Sequence, residues 1–141
     1  MSTRVRSRRG KQVFISYAQE DAALARQLAH ELKREGFVPW LDVEEIQPGE
    51  NWPLALGEAI EAADAIVVLI SKAFLRSPYR RQEWDFALGS KKHAGRVLPV
   101  LTPGTPADAV PWILKHIRHL KSGSNWEKTS QRVAQTLKSA A

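Results

Sequence analysis

"AIVVLI", residues 65–70, decides the fold. Six apolar residues stand in a row, four of them β-branched, with no polar position between them. A strand with one face in water alternates polar with apolar. This run does not, so it reads as a strand buried on both faces, the kind found in parallel sheets covered by helices.

The sequence on either side agrees. Upstream, "DAALARQLAHELKREG" carries Leu24, Leu28 and Leu32 every four residues, with Ala25 and Ala29 beside them, which is one helical stripe. Asp21 is expected to cap its start and Gly36 to end it. Strand-like "QVFISY" (12–17) precedes this helix and "FVPWLD" (37–42) follows it, with Pro39 placing the second strand at a sheet edge. "VEEIQPGEN" (43–51) is a loop with a Pro-Gly turn. Asn51 then caps a helix with Pro53 in its first turn and Trp52, Leu56, Ile60 and Ala63 on its apolar face. Downstream, "SKAFLR" connects to a helix opened by Ser77-Pro78 and running to about Lys92. "RVLPVL" (96–101) is a fourth strand, a Pro-rich loop follows, and a short fifth strand is expected near Ile117–Leu120. Asn125 to Leu137 is a final helix.

Strands alternating with helices in one small domain give a parallel sheet with helices on both faces. Five strands predict the flavodoxin-like α/β order 2-1-3-4-5. Ligands of such sheets bind beyond the carboxyl ends of the strands, at the switch point beside the first strand. The residues expected there are Tyr17 to Asp21, Asp42 with its loop, Ser71 onward, and the start of the 77–92 helix.

Composition narrows the function. The chain has 141 residues, 43% of them apolar, which is enough for one domain with its own core. Net charge is +6, but Arg4, Arg6, Arg8, Arg9 and Lys11 carry five of those charges, and without them the balance is about +1. Residues 1–11 are therefore expected to be a basic, disordered tail, with 12–141 as the domain. Nothing beyond the tail points to nucleic acid. No cysteine is present, so a disulfide scaffold and a thiolate zinc site are excluded. That absence fits a reducing compartment, and a cytoplasmic location is the expectation. No apolar run reaches a membrane span, and no apolar segment follows the basic start as a secretory signal requires.

Several chemistries are missing their residues. There is no phosphate-binding P-loop, no dinucleotide GxGxxG and no GxSxG nucleophile elbow. His30, His93, His116 and His119 have no metal-ligand spacing backed by carboxylates. A phospho-receiver domain shares the expected sheet and needs an acidic pair after strand one, which Glu20-Asp21 would supply. It also needs an aspartate at the end of strand three, where this chain has Ile70-Ser71-Lys72.

"FISYAQED", "GFVPWLD", "IQPGENW", "AIEAADAIVVLIS" and "SPYRRQEW" occur in that order along residues 14–84. The series resembles a TIR (Toll/interleukin-1 receptor) domain of the bacterial and plant-like type, over about residues 12–138. The resemblance implies the same five-stranded sheet. It also implies one of two functions. Many members of this branch cleave NAD+ into nicotinamide and ADP-ribose or a cyclic isomer, with activity favoured by self-association. Others are signalling scaffolds that work through homotypic TIR–TIR contacts without turnover. NAD+ is then substrate, with no separate cofactor and no metal, and the partners are copies of the chain or other TIR domains.

The catalytic glutamate of the family lies in a pattern close to S-x-W-C-x-x-E. Ser77, Tyr79 and Glu83 fall on its first, third and last positions. Tyr79 stands where Trp is usual and keeps an aromatic platform, and Arg80 stands where Cys is common. The resemblance makes Glu83 catalytic, with Ser77 and Tyr79 beside it in the substrate site. By position and chemistry Tyr17, Trp40, Asp42 and Arg80 are also expected to bind substrate, against the alternatives of core packing for Tyr17 and Trp40, a loop cap for Asp42 and an ion pair with Glu83 for Arg80. The resemblance makes the loop with Ile46, Pro48, Gly49 and Trp52 an assembly and gating element. Residue chemistry alone leaves Glu83 between two roles, a surface acid paired with Arg80 or Arg81 and a partly buried catalytic carboxylate sharing a helix face with Tyr79.

Overall fold

The computed structural model describes residues 11–41, 61–76, 97–106 and 118–139. Within them the chain runs β1 (Gln12–Ser16), a 3-10 turn (Gln19–Asp21), α1 (Ala22–Arg34), β2 (Val38–Leu41) and β3 (Ala65–Ile70). It continues with α2 (Lys72–Arg76), β4 (Val97–Leu101), β5 (Leu120–Lys121) and α3 (Trp126–Ser139). All strand pairs are parallel, in the order β2-β1-β3-β4-β5. This is the flavodoxin-like α/β sheet that the apolar run 65–70 implies.

β3 lies at the centre, between β1 and β4, and feeds both faces. Val67 and Leu69 join Val13, Ile15, Leu98 and Val100 under α1 and α3. Ile66, Val68 and Ile70 join Phe14, Val97 and Leu101 on the other face, where Phe74 of α2 packs. An alternating strand exposes every second side chain. Here both sets are buried, which is why no polar residue interrupts the run. The helical stripe also holds, since Ala25, Leu28, Ala29 and Leu32 are the buried residues that α1 turns to the sheet. α3 lies beside α1 and contributes Trp126, Val133, Ala134 and Leu137 to the same core. The Trp126 indole N–H donates to the Leu24 carbonyl at 2.9 Å and ties the start of α3 to the first turn of α1.

Gly36 ends α1 as expected, with φ of +91°. The Phe37 N–H reaches back to the Leu32 carbonyl at 2.9 Å, and the Gly36 N–H to the Lys33 carbonyl at 3.1 Å. This Schellman closure turns the chain into β2. Among the described residues β2 pairs only with β1. The Val38 N–H bonds the Lys11 carbonyl at 2.8 Å, so the next residue, Pro39, turns its nitrogen to the side away from β1. No ladder bond to β1 is lost there, which is how proline is accommodated in this strand.

Three expectations need correction. Asp21 precedes α1 but its carboxylate makes no capping bond to the helix, because that group is engaged elsewhere. "SKAFLR" is not merely a connector, since Lys72–Arg76 is helical directly after β3. The fifth strand is Leu120–Lys121, shifted toward the C-terminus of the expected segment. Asn125 does cap the final helix, accepting the Lys128 N–H at 3.0 Å. The basic tail up to residue 10 and the helices expected to begin at Asn51 and Ser77 lie outside the described residues, apart from the last turn of the former at 61–62.

Candidate functional site

The sheet order reverses at β1. The chain leaves β1 for β2 on one side and returns to β3 on the other. A crevice opens beyond the carboxyl ends of the strands at such a reversal. Here β1 delivers Tyr17, Ala18 and the 3-10 turn, and β3 delivers Ser71.

Ser71 and Asp21 meet there. The Ser71 hydroxyl donates to the Asp21 carboxylate and accepts the Phe74 N–H at 3.0 Å. Ser71 is thus the N-cap of α2, in the usual N3 geometry. Asp21 is itself held by its N–H bond to the Ala18 carbonyl at 2.8 Å. Burial pushes the Asp21 carboxyl above its ordinary range; the Ser71 hydrogen bond partly offsets this, and the nearby Glu20 charge adds to it.

Hydroxyls continue along the same rim. Thr102, immediately after β4, sends both its N–H (3.0 Å) and its Oγ1–H (3.2 Å) to the Ile70 carbonyl and lies 2.8 Å from the Thr105 hydroxyl. Ser122, immediately after β5, accepts from Thr129 at 2.9 Å. Each of these side chains is buried. The carbonyls at strand ends are satisfied by the residue that follows the neighbouring strand, which keeps the floor of the crevice rigid.

Of the residues expected to bind substrate, Tyr17 and Trp40 are described. Tyr17 follows β1, has no exposed surface, and packs with Val13, Ile15 and Leu28 on the α1 side. Its ring is part of that core cluster. Trp40 is half-buried on the opposite face, against the cluster that holds Phe14 and Phe74. The two rings are therefore separated by the sheet, and Trp40 shares its face with α2. Asp42, Ile46, Pro48, Gly49, Trp52, Ser77, Tyr79, Arg80 and Glu83 lie outside the described residues. Asp21 and Ser71 were each expected at the crevice, but the hydrogen bond that joins them was not. Its signal was the position of both residues just past the ends of adjacent strands.

A second concavity, roughly 590 Å³, lies where the C-terminal end of α1 meets α3 and is lined by Glu31, Arg34, Glu35, Lys128 and Arg132 among others. α1 runs back against the strands, so this groove is at the opposite end of the sheet from Ser71. Among the described residues no group of His, Cys, Asp or Glu could hold a metal ion, and no helix is long and apolar enough to cross a membrane.

A five-stranded parallel sheet in the order β2-β1-β3-β4-β5, with helices on both faces and its reversal at β1, defines the flavodoxin-like class of doubly wound α/β domains. Within that class, the chain belongs to the TIR domain family, which matches residues 13–137. A curated relative, the probable 2′ cyclic ADP-D-ribose synthase TcpO of Methanobrevibacter olleyae, is 26% identical over 90 residues. That match covers 63% of this chain and 26% of TcpO, so the chain corresponds to about a quarter of that protein's length. The TIR domain of the Toll-related receptor TRR-2 from Hydra magnipapillata superimposes with a TM-score of 0.71 at 22% identity, covering 91% of this chain and 96% of that one. A TIR-STING receptor from C. gigas, solved with 2′,3′-cGAMP, superimposes with a TM-score of 0.78 at 23% identity, covering 94% of this chain and 41% of that one. These two likenesses establish the fold.

Proposed function

We propose that this TIR domain cleaves the nicotinamide–ribose bond of NAD+, with Glu83 as the catalytic carboxylate. The observation that carries this is the Ser77, Tyr79, Glu83 spacing in a chain of the TIR family. The name of TcpO, a synthase of a cyclic ADP-ribose, supports the same chemistry.

One carboxylate suffices for this reaction. Ordinary glycosidases need a second acid to protonate the departing oxygen. In NAD+ the C1′–N bond breaks with its electron pair going to the pyridinium nitrogen, and neutral nicotinamide leaves without a proton. The remaining demands are an oxocarbenium-like transition state to stabilise and an acceptor to orient. Glu83 does both, and takes the proton of the attacking oxygen as the new C1′–O bond forms. Water as acceptor gives ADP-ribose; a hydroxyl of the same molecule gives a cyclic isomer. Tyr79 and Trp40 offer aromatic faces to the substrate's rings, Arg80 meets phosphate, and Ser77 and Asp42 supply polar contacts. The loop with Ile46, Pro48, Gly49 and Trp52 closes the site and joins copies, so activity rises with self-association.

The test is nicotinamide release from NAD+ at high protein concentration, repeated with Glu83→Ala and Glu83→Gln. Release by the wild type and loss in both variants is the expected outcome. Equal release by all three removes Glu83 from the mechanism. No release under any assembly condition leaves the domain as a TIR–TIR signalling module without turnover.

A further inference from the structure

The geometry points to Asp21 and Ser71 as a positioning pair that holds the β3–α2 junction in the orientation turnover requires; its kinetic part rests on the activity proposed above. A serine hydroxyl has one proton and two lone pairs. At Ser71 one lone pair takes the Phe74 N–H of α2, and the proton goes to Asp21. The direction of the hydroxyl, and with it the cap on α2, is therefore set by a residue of the turn that follows a different strand. Asp21 is held by its own N–H bond to the carbonyl of Ala18, two residues past β1, and β1 and β3 are paired directly, Ser16 opposite Val68. The pair thus staples two adjacent strand ends across the reversal point.

α2 depends on this staple more than a longer helix would. It has five residues, too few to be stable alone. It is held by the Ser71 cap, by the Leu75 N–H bond to the Ser71 carbonyl at 3.0 Å, and by Phe74, which has no exposed surface. Two of these three holds run through Ser71. The chain that leaves α2 enters the "SPYRRQEW" segment at the next residue. A carboxyl group offers two acceptor oxygens where an amide offers one, so Asp21 suits the Ser71 hydroxyl better than an asparagine would.

Four variants separate positioning from simple structural support. Amide exchange at Phe74 and Leu75, together with kcat and KM for nicotinamide release, is measured in Asp21→Ala, Asp21→Asn, Ser71→Ala and Ser71→Thr. Asp21→Ala and Ser71→Ala are expected to speed exchange at both amides about tenfold and to lower kcat about tenfold, with KM within about twofold of wild type. Asp21→Asn, which keeps an acceptor without the charge, falls between. Ser71→Thr keeps the hydroxyl and restores both readouts. Exchange in Asp21→Ala equal to wild type overturns the staple. Faster exchange with unchanged kcat overturns positioning and leaves only local support. A wild type that releases no nicotinamide removes the kinetic role along with the proposed activity, while the exchange measurement still decides the staple.

Discussion

Replacing Gly36 by alanine isolates the energetic requirement of one backbone angle. Gly36 sits at φ +91°, where a side chain crowds its own backbone. An added Cβ would meet no other atom within 4 Å, so there is no packing clash to confuse the measurement. Holding an L-residue in the left-handed region costs about 1–2 kcal/mol. Alanine also narrows the unfolded ensemble, which returns about 0.4–1 kcal/mol. The net expectation is a loss of ~1 kcal/mol, or about 3 °C in Tm for a domain of this size. Urea unfolding at constant m-value measures it. Two other glycines act as internal references. Gly104, at φ +81° with the same open space, should lose a similar amount in Gly104→Ala. Gly123 has equal space but no positive φ, so Gly123→Ala should be neutral or slightly stabilising. Gly36→Asn should lose less than Gly36→Ala, since asparagine tolerates this region better. Equal midpoints for Gly36→Ala and Gly123→Ala would refute the claim that backbone angle ends α1.

Three further outcomes follow from the contacts. Trp126→Phe keeps the buried ring but removes the N–H bond to the Leu24 carbonyl, and should cost about 1 kcal/mol in the same unfolding assay. The Lys138 ammonium holds the Glu35 carboxyl below its ordinary range. The stabilisation it gives is present above the unfolded carboxylate pKa and lost as pH falls through the lowered folded value. The Tm gap between wild type and Lys138→Ala should therefore close on acidification, and a gap independent of pH would contradict it. Asp21 has the opposite sign, since its folded pKa is raised. Its contribution is complete below the unfolded pKa and is lost as pH rises through the folded value. Asp21→Asn does not titrate, so its stability relative to wild type should increase as pH rises from below the ordinary aspartate range through the raised folded value.

The sheet was legible because its information is local. Residues 65–70 show burial on both faces by lacking any polar position, and Leu24, Leu28 and Leu32 show a helix by period alone. β5 was misplaced because two residues, one of them an exposed lysine, carry too little pattern; its pairing with β4 defines it instead. Asp21 was misassigned for a related reason. A helix-start aspartate is usually a cap, and only the adjacency of β1 and β3 brings a competing hydroxyl to it. Tyr17 follows the first strand, and strand alternation turns it to the same face as Val13 and Ile15. Glu83 was singled out through the spacing of its neighbours and the order of the upstream blocks, since a lone acid near a helix start carries no such signal.

Pro39 bears on how copies of this domain can meet. A parallel or antiparallel neighbour laid along the outer side of β2 would look for a donor at that position and find a ring carbon. Sheet-to-sheet growth through this edge therefore stalls at its second rung. Any second strand laid along this edge would forgo that ladder bond, so β2 is a poor template for extending the sheet.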